Sequence, residues 1–442
     1  MTQLRVFFEQ RRVGTIDIDR AGPGFAYDPE WIRLRGAFPI STTMPLKPER
    51  IASDIFLPWA ANLLPESEQL RTLGQLLGMA AGDVVGLLSA IGGDTAGALS
   101  IGQPGRTASV QWRPVIKPED LEKLIEALPN KPFLVGEEGV SMSLAGVQSK
   151  LPVAIDDRGL VCIPMNGSPS THILKPDAPR LRGGVQNEAF CLTLARRLGI
   201  PTPDVSTGKA GERTYLLVKR FDRINVSGRW RRLHQEDFCQ ALGKPPSAKY
   251  EINQTGIRGP TLKDLFEVAR RHMYSTDIVH LLDMVVFNVI TCNTDAHAKN
   301  YSIMINATGA SLAPIYDVMC GEVWENVTKN LAQKIAGNSR GDQLKGRHWH
   351  RFARECGLNP RQVIDRIGEL TKLVIAECGS AENEVAAMPA GGHAILGQTR
   401  QAVERRARAI FAQLRELDGY PVAEAGDQEG DICGPFINQY SA

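Results

Sequence analysis

Residues 277–292, DIVHLLDMVVFNVITC, are apolar almost all the way round a helix. Such a helix offers no face to water and must lie in the core of a lobe. The surrounding half of the chain keeps helical spacing, with Val363, Ile367, Leu370 and Val374 in 360–378, and Val403, Ala407, Ile410, Leu414 and Leu417 in 397–417. The first half reads differently. LRVFFEQRRVGTIDI (4–18) predicts two strands around a turn, and SMSLAG, SKLPVAIDD, GLVCIP and THILKP predict short strands bounded by Gly, Pro, Asp or Asn. Helical spacing at 54–64, 83–91 and 187–198 and a strand at 214–222 complete it. Strands first and helices beyond Asp222 predict an α+β fold of two lobes with a cleft between them. The Gly- and Pro-rich run 102–120 reads as a connection out of a small N-terminal subdomain, giving expected units 1–105, 106–222 and 223–420. The acidic stretch 421–442 reads as a loosely ordered tail.

Composition narrows the function. The 442 residues carry 51 Lys plus Arg against 49 Asp plus Glu, a formal charge of +2, with 43% hydrophobic residues. That balance excludes a mainly disordered chain and a wholly basic nucleic-acid binder, though not a local basic patch. The opening MTQLRVFFEQRRVG sets charges inside its apolar run, unlike a secretory signal, and no stretch of about 18 apolar residues could span a membrane. Eight scattered cysteines without a C-x-x-C pair read as reduced thiols of a cytoplasmic protein.

The string Thr294-Asp295-Ala296-His297-Ala298-Lys299-Asn300 follows the buried helix directly. Small and polar residues replace the apolar run, so the backbone leaves the helix and exposes side chains. An Asp five residues before an Asn is the spacing of a kinase catalytic loop, where the Asp orients the acceptor hydroxyl and the Asn holds Mg²⁺. Asp283 and Asn288 share that spacing but lie within the predicted helix, where five steps of about 100° place them on different faces. A second carboxylate, Asp317, ends the run SLAPIY; strands YSIMIN and SLAPIY around a turn would return it to the loop, to share a metal with Asn300 or simply to cap the next turn.

Lys175 ends the apolar run His172-Ile173-Leu174. A lysine in a buried strand needs an anionic partner. Nucleotide phosphates and a helix glutamate are the usual ones in a kinase small lobe, and Glu188 at the start of the next helix supplies the glutamate. A purely structural Lys–Glu pair is the alternative. Ser143 to Lys150, SLAGVQSK, reads as a small-residue turn between strands. It matches no phosphate-binding fingerprint, yet small residues let backbone N–H groups approach phosphate, and an ordinary hairpin loop remains the plainer reading. Taken together, phosphate loop, strand Lys, helix Glu, D-x-x-x-x-N and second Asp stand in the order of a protein-kinase-like fold.

At these residues the chain resembles the HipA-type serine/threonine kinases, toxins of type II toxin–antitoxin modules. The likeness runs from the first hairpin to about residue 418 through NLLPESE (62–68), LLSAIGGDTAGAL (87–99), SLAGVQSK (143–150), THILKP (171–176), QNEAFCLTLARRLGIPTPD (186–204), VKRFDR (218–223), HQEDFCQALG (234–243), TDAHAKNYS (294–302) and PIYDV (314–318). It implies a two-lobed protein-kinase-like fold, with a strand-rich N-lobe, an extra N-terminal subdomain and a mainly helical C-lobe. It also implies ATP and Mg²⁺ as cofactors. Ala145, Gly146, Val147, Gln148, Ser149 and Lys150 would form the phosphate loop, and Lys175 would contact phosphates. Lys219, Arg220 and Phe221 would be the hinge beside adenine. Asp295 would be the catalytic base; His297, Ala298, Lys299, Asn300 and Tyr316 would line the nucleotide site, with Asn300 and Asp317 on Mg²⁺. Autophosphorylation would fall on Ser143, with Ser141 and Ser149 as neighbouring alternatives. Ala296 replaces a glycine of the family's loop, which is tolerable if that residue is not left-handed.

The resemblance further implies a HipB-like helix-turn-helix antitoxin, operator DNA bound through that complex, and an aminoacyl-tRNA synthetase as substrate, glutamyl-tRNA synthetase in the characterised case. The basic cluster Lys345, Arg347, Arg351 and Arg354 would touch DNA or form a solvated helical face. The competing readings are a catalytically silent kinase-like module acting with the antitoxin as a repressor component, and a small-molecule kinase.

Overall fold

The computed structural model describes residues 3–106 and 109–415. The expected acidic tail and Cys433 lie outside them. The chain opens with β1 (Gln3–Phe8), β2 (Arg11–Asp19) and β3 (Gly22–Tyr27), then helices α1 (Pro29–Arg33), α2 (Ser53–Ala61), α3 (Ser67–Leu77) and α4 (Val84–Ile91), and β4 (Leu99–Ile101). The sheet order is β3-β2-β1-β4. Phe25, Trp31, Phe38 and Phe56 pack into its core. Asp83 starts α4 by accepting the Gly86 N–H at 2.9 Å, satisfying a donor the helix leaves open.

A second sheet, ordered β5-β7-β6-β8-β10-β9, comprises β5 (Gln111–Pro114), β6 (Leu151–Ile155), β7 (Val161–Met165), β8 (His172–Pro176), β9 (Val205–Ala210) and β10 (Arg213–Lys219). It carries α5 (Pro118–Ala127) and the almost wholly buried α6 (Gly184–Arg197). The run 102–120 is therefore not all connection, since β5 joins this sheet. Nor does SMSLAG form a strand: Ser141 and Ser143 bond outward, to Ala90 and Leu63, and hold the segment against the N-terminal subdomain.

Beyond Asp222 the change to helices is delayed. The hairpin β11 (Arg223–Val226) and β12 (Arg229–Arg232) comes first, then β13 (His234–Asp237), which pairs with a later strand. Helices α7 (Phe238–Ala241), α8 (Leu262–His272) and α9 (Ser275–Ile290) follow, with β14 (Ser302–Asn306), β15 (Gly309–Leu312), β16 (Asn330–Ile335) and β17 (Asn338–Arg340). The lobe ends in α10 (Gly346–Glu355), α11 (Pro360–Ala386) and α12 (Ile395–Arg415). Every residue of α9 from Leu281 to Ile290 is buried, as its all-round apolarity demands. Asp283 pairs with Arg366 and Asn288 bonds Tyr301, so both are structural. The two lobes form the α+β kinase-like fold expected from sequence. No described helix is long and apolar enough to cross a membrane. The seven described cysteines are free and buried.

A buried ionic cluster ties the N-terminal subdomain to the second sheet and β12. Asp94 meets Arg223 at 2.9 Å, Arg232 at 3.1 Å and Arg220 at 3.5 Å, and Asp222 meets Arg220 at 2.7 Å and Arg223 at 3.0 Å. Burial opposes ionisation of Asp94, but Arg223, Arg232 and Arg220 overcome it and hold the carboxyl far below its usual range. Asp94→Ala is expected to cost about 3–5 kcal/mol, because three guanidinium groups lose a shared partner in a dry site. A depressed folded pKa gives stability that is complete above the unfolded value of about 4 and lost as pH falls through the folded one. The stability gap between wild type and variant, measured by urea unfolding, should hold from about pH 7 to 5 and narrow progressively below about pH 4. A gap constant down to pH 3 would contradict this account.

Candidate active site

The loop after α9 begins at Cys292, which takes a left-handed conformation (φ 57°) and ends the helix; Ala296 is not left-handed. Asn293 accepts the Asp295 N–H at 3.1 Å and donates to Asn288 at 2.8 Å, fixing the exit. The Asn300 amide then donates back to the Asp295 carbonyl at 2.8 Å, closing the loop so that both residues share one turn. One Asp295 carboxylate oxygen accepts the Tyr250 hydroxyl at 2.5 Å. Asp295 itself stays open to solvent, yet desolvation by the protein packed around the loop raises its pKa. The Tyr250 bond lowers it and nearby Asp317 raises it, with a net rise.

Across the cleft, Lys175 is the next-to-last residue of β8 in the middle of the second sheet, paired opposite Leu216. Its ammonium sits 2.6 Å from Glu188 on α6 and 2.7 Å from Asp317. Asp317 follows β15 in a left-handed conformation (φ 58°). Burial opposes charge on both, yet Asp317 and Glu188 lift the Lys175 pKa, and Lys175 and Lys150 hold Asp317 well below the carboxylate range. Three residues separated by as many as 142 positions thus form one ionic bridge at the lobe junction. A purely structural Lys175–Glu188 pair would not require Asp317.

The 145–150 loop is no hairpin turn; it is held from the N-terminal subdomain. The Glu66 N–H donates to the Gly146 carbonyl at 3.2 Å, and the Gln69 amide to the Val147 carbonyl at 2.9 Å. Gly146 is required here: its φ is 109°, and a Cβ would stand 2.7 Å from the Lys150 ammonium. Lys150 donates to the Ala145 carbonyl, and burial pushes its pKa down to about 8, with Asp317 opposing that fall. Gln148 and Ser149 are half-buried. Ser143 is fully buried, its hydroxyl donating to the Leu63 carbonyl at 2.7 Å, so it reaches a phosphoryl group only if this segment swings out.

Two expected nucleotide-lining side chains point elsewhere. Lys299 is buried between Asn62 (2.6 Å) and Asp237 (2.7 Å), joining the loop after α9 to the N-terminal subdomain and β13. Arg220 is consumed by the Asp94–Asp222 cluster. The Lys219 and Arg220 N–H groups already donate to the Asp204 and Thr171 carbonyls, and the Lys219 ammonium lies 3.0 Å from Asp204. Phe221 does face the site: its ring packs on Tyr316, centroids 5.7 Å apart, and the Tyr316 hydroxyl donates to the Lys299 carbonyl at 2.7 Å. Ala298 is buried, its N–H on the Lys249 carbonyl at 3.2 Å. His297 is buried with Nδ1 unpartnered among the described residues; burial, then Lys249, holds its pKa well below normal, so it is neutral.

Comparison with known proteins gives the family. Residues 4–102 match the HipA N-terminal domain and residues 142–377 the HipA-like C-terminal domain, the latter alone more than half of the chain. The chain belongs to the HipA family of toxin kinases. It is 33% identical over 374 residues to the serine/threonine-protein kinase toxin HipA of Shewanella oneidensis, covering 82% of this chain and 84% of that one. It is 36% identical over 378 residues to the Y4mE protein of Sinorhizobium fredii, covering 83% and 89%. The solved structure of the Shewanella oneidensis MR-1 system, HipA and HipB with operator DNA, superposes with a TM-score of 0.81 at 27% identity, covering 95% of this chain and 100% of that one.

Within this HipA-family site, sequence reasoning missed Glu66, Lys249 and Tyr250. Glu66 lay in a family-like block but carried no assigned role. Lys249 and Tyr250 stand in a polar stretch whose spacing relates them to no motif. Lys249 bonds Glu66 at 2.8 Å and sits 5.5 Å from the centre of the Tyr250 ring.

Proposed function

We propose that this HipA-family chain is the toxin of a toxin–antitoxin pair and transfers the γ-phosphoryl group of Mg²⁺-ATP to a protein serine or threonine. The observation that carries this reading is the Glu188–Lys175–Asp317 bridge facing the Asp295–Asn300 loop. The residues suit the absent nucleotide and metal. Lys150 and Lys175 bring two cations to the small-residue loop, and the orphaned His297 Nδ1 offers a buried polar atom in need of a partner. Among the described residues no three His, Cys, Asp or Glu side chains gather as a metal cage, but Mg²⁺ on one carboxylate, one amide and phosphate oxygens needs none.

In this reading Asn300 and Asp317 hold Mg²⁺, which neutralises phosphate charge when bound. Lys175 orients the phosphates while Glu188 keeps its ammonium in place. The hinge from Lys219 to Phe221 meets adenine chiefly through Phe221, since two of its N–H groups are engaged in the sheet. Asp295 accepts the hydrogen bond of the acceptor hydroxyl. The silent-module alternative gains nothing here, because each of these side chains is present and oriented by a partner.

The antitoxin in this reading is a HipB-like helix-turn-helix protein that brings the toxin to operator DNA, supported by the Shewanella assembly of HipA, HipB and operator. Lys345, Arg347, Arg351 and Arg354, exposed around α10, are the patch available to phosphates there. The acceptor is an aminoacyl-tRNA synthetase, with glutamyl-tRNA synthetase the first to test. Incubating the chain with Mg²⁺-ATP and purified synthetases, then mapping phosphosites by mass spectrometry, tests all of this; absence of any phosphoryl transfer would refute the kinase reading.

Autophosphorylation at Ser143 would act as a switch, since the phosphate cannot remain in the dry space beside Leu63. Ser143→Asp should weaken ATP binding by about tenfold or more in calorimetry, for the same desolvation reason. Unchanged affinity, with phosphate found elsewhere by intact-mass analysis, would move the switch to Ser141 or Ser149.

A further inference from the structure

The Asp295 carboxylate has a partner that the kinase reading does not require. Tyr250 lies in the polar stretch before α8, remote from the catalytic loop in sequence, yet its hydroxyl donates to Asp295 Oδ1 at 2.5 Å. The ring is held on several sides. The edge-on His297 ring lies 5.0 Å away, centre to centre, and the Lys249 ammonium 5.5 Å, itself anchored 2.8 Å from Glu66 of the N-terminal subdomain. Behind it, Asn253 bonds the Tyr250 carbonyl at 3.1 Å, and Gly259 lies so near that a Cβ would stand 1.9 Å from that same oxygen.

We propose that Tyr250 is a positioning residue for phosphoryl transfer: its hydroxyl fixes one oxygen of Asp295 and leaves the other aimed at the acceptor hydroxyl. A carboxylate swings between equivalent orientations unless one oxygen is tied, and transfer demands alignment within fractions of an ångström. Burial and then the Asp295 charge keep the phenol protonated and therefore donating. In the step served, the acceptor oxygen bonds to phosphorus as the bridging oxygen leaves with ADP, and the acceptor proton passes to the untied oxygen of Asp295. The Glu66–Lys249 pair then gives the N-terminal subdomain a direct route to the orientation of Asp295, through Tyr250. This inference rests on the kinase reading above.

The test uses the full chain, Mg²⁺ and γ-labelled ATP, and follows self-labelling by wild type, Tyr250→Phe, Asp295→Asn and the double variant. Tyr250→Phe should lower the maximal labelling rate about 10- to 100-fold, the worth of one charge-assisted hydrogen bond. The half-saturating ATP concentration, the affinity for a non-hydrolysable ATP analogue and the melting temperature should stay near wild type. In the Asp295→Asn background the same change should cost nothing further, because Tyr250 acts through that carboxylate. A Tyr250→Phe rate within twofold of wild type overturns the proposal. So does a rate loss matched by lost nucleotide binding or folding, or an equal further loss in the double variant. Wild type that transfers no phosphate would instead sink the kinase reading itself.

Discussion

Asp295→Asn is expected to fold, to bind ATP within about twofold of wild type, and to lose transfer by about 10²- to 10⁴-fold, the usual worth of a positioned proton acceptor. The substitution is nearly isosteric, and the loop closure from Asn300 uses the Asp295 backbone carbonyl, which the variant keeps. An asparagine oxygen can still accept the Tyr250 hydroxyl. What disappears is the solvent-open carboxylate to which the acceptor proton would pass. Phosphosite mapping beside calorimetric nucleotide titration separates the two quantities. Full labelling by this variant would remove Asp295 from the chemistry.

Lys175→Met should have the larger combined effect. It leaves Glu188 and Asp317 facing the lobe junction without their shared cation, one carboxylate with 2% and the other with 31% of its side-chain surface exposed. Breaking a buried pair from one side costs about 3–5 kcal/mol, because the stranded charge keeps its desolvation penalty. Urea unfolding should show that loss, and phosphoryl transfer should become undetectable. Adding Glu188→Gln should restore part of the stability by removing one stranded charge while leaving transfer absent. Recovery of transfer in the double variant would mean that Lys175 has no role beyond neutralising its neighbours.

The parts of this molecule that were legible in its sequence are those whose chemistry restricts residue type. The polar string after a helix apolar all round marked the turn that leaves α9, and a lysine near the end of an apolar strand announced an anionic partner, which Glu188 supplies. Two short strands do return the chain to that turn. The sequence, however, offered Asp317 to a metal shared with Asn300 or to a turn cap, and its pairing with Lys175 was not foreseen. Illegible were features chosen by distant partners. Segment 141–146 has strand-like alternation, but its serines bond Ala90 and Leu63, and that tertiary choice outweighs local propensity. The family resemblance set Lys299 and Arg220 along the nucleotide site; in space Asp237 and Asp94 claim them. The bond from Tyr250 to Asp295 crosses 45 positions of irregular backbone and helix, which no periodicity encodes.

The contact between Lys299 and Asn62 spans 237 positions. Closing so wide a loop is slow, and it cannot begin until the later partner exists. During translation the first subdomain must therefore wait for the residue-299 turn to clear the ribosome before the centre can assemble. Until then the turn that carries Asp295 lacks its Asn62 anchor, so the lobe junction is among the last parts of the fold to set.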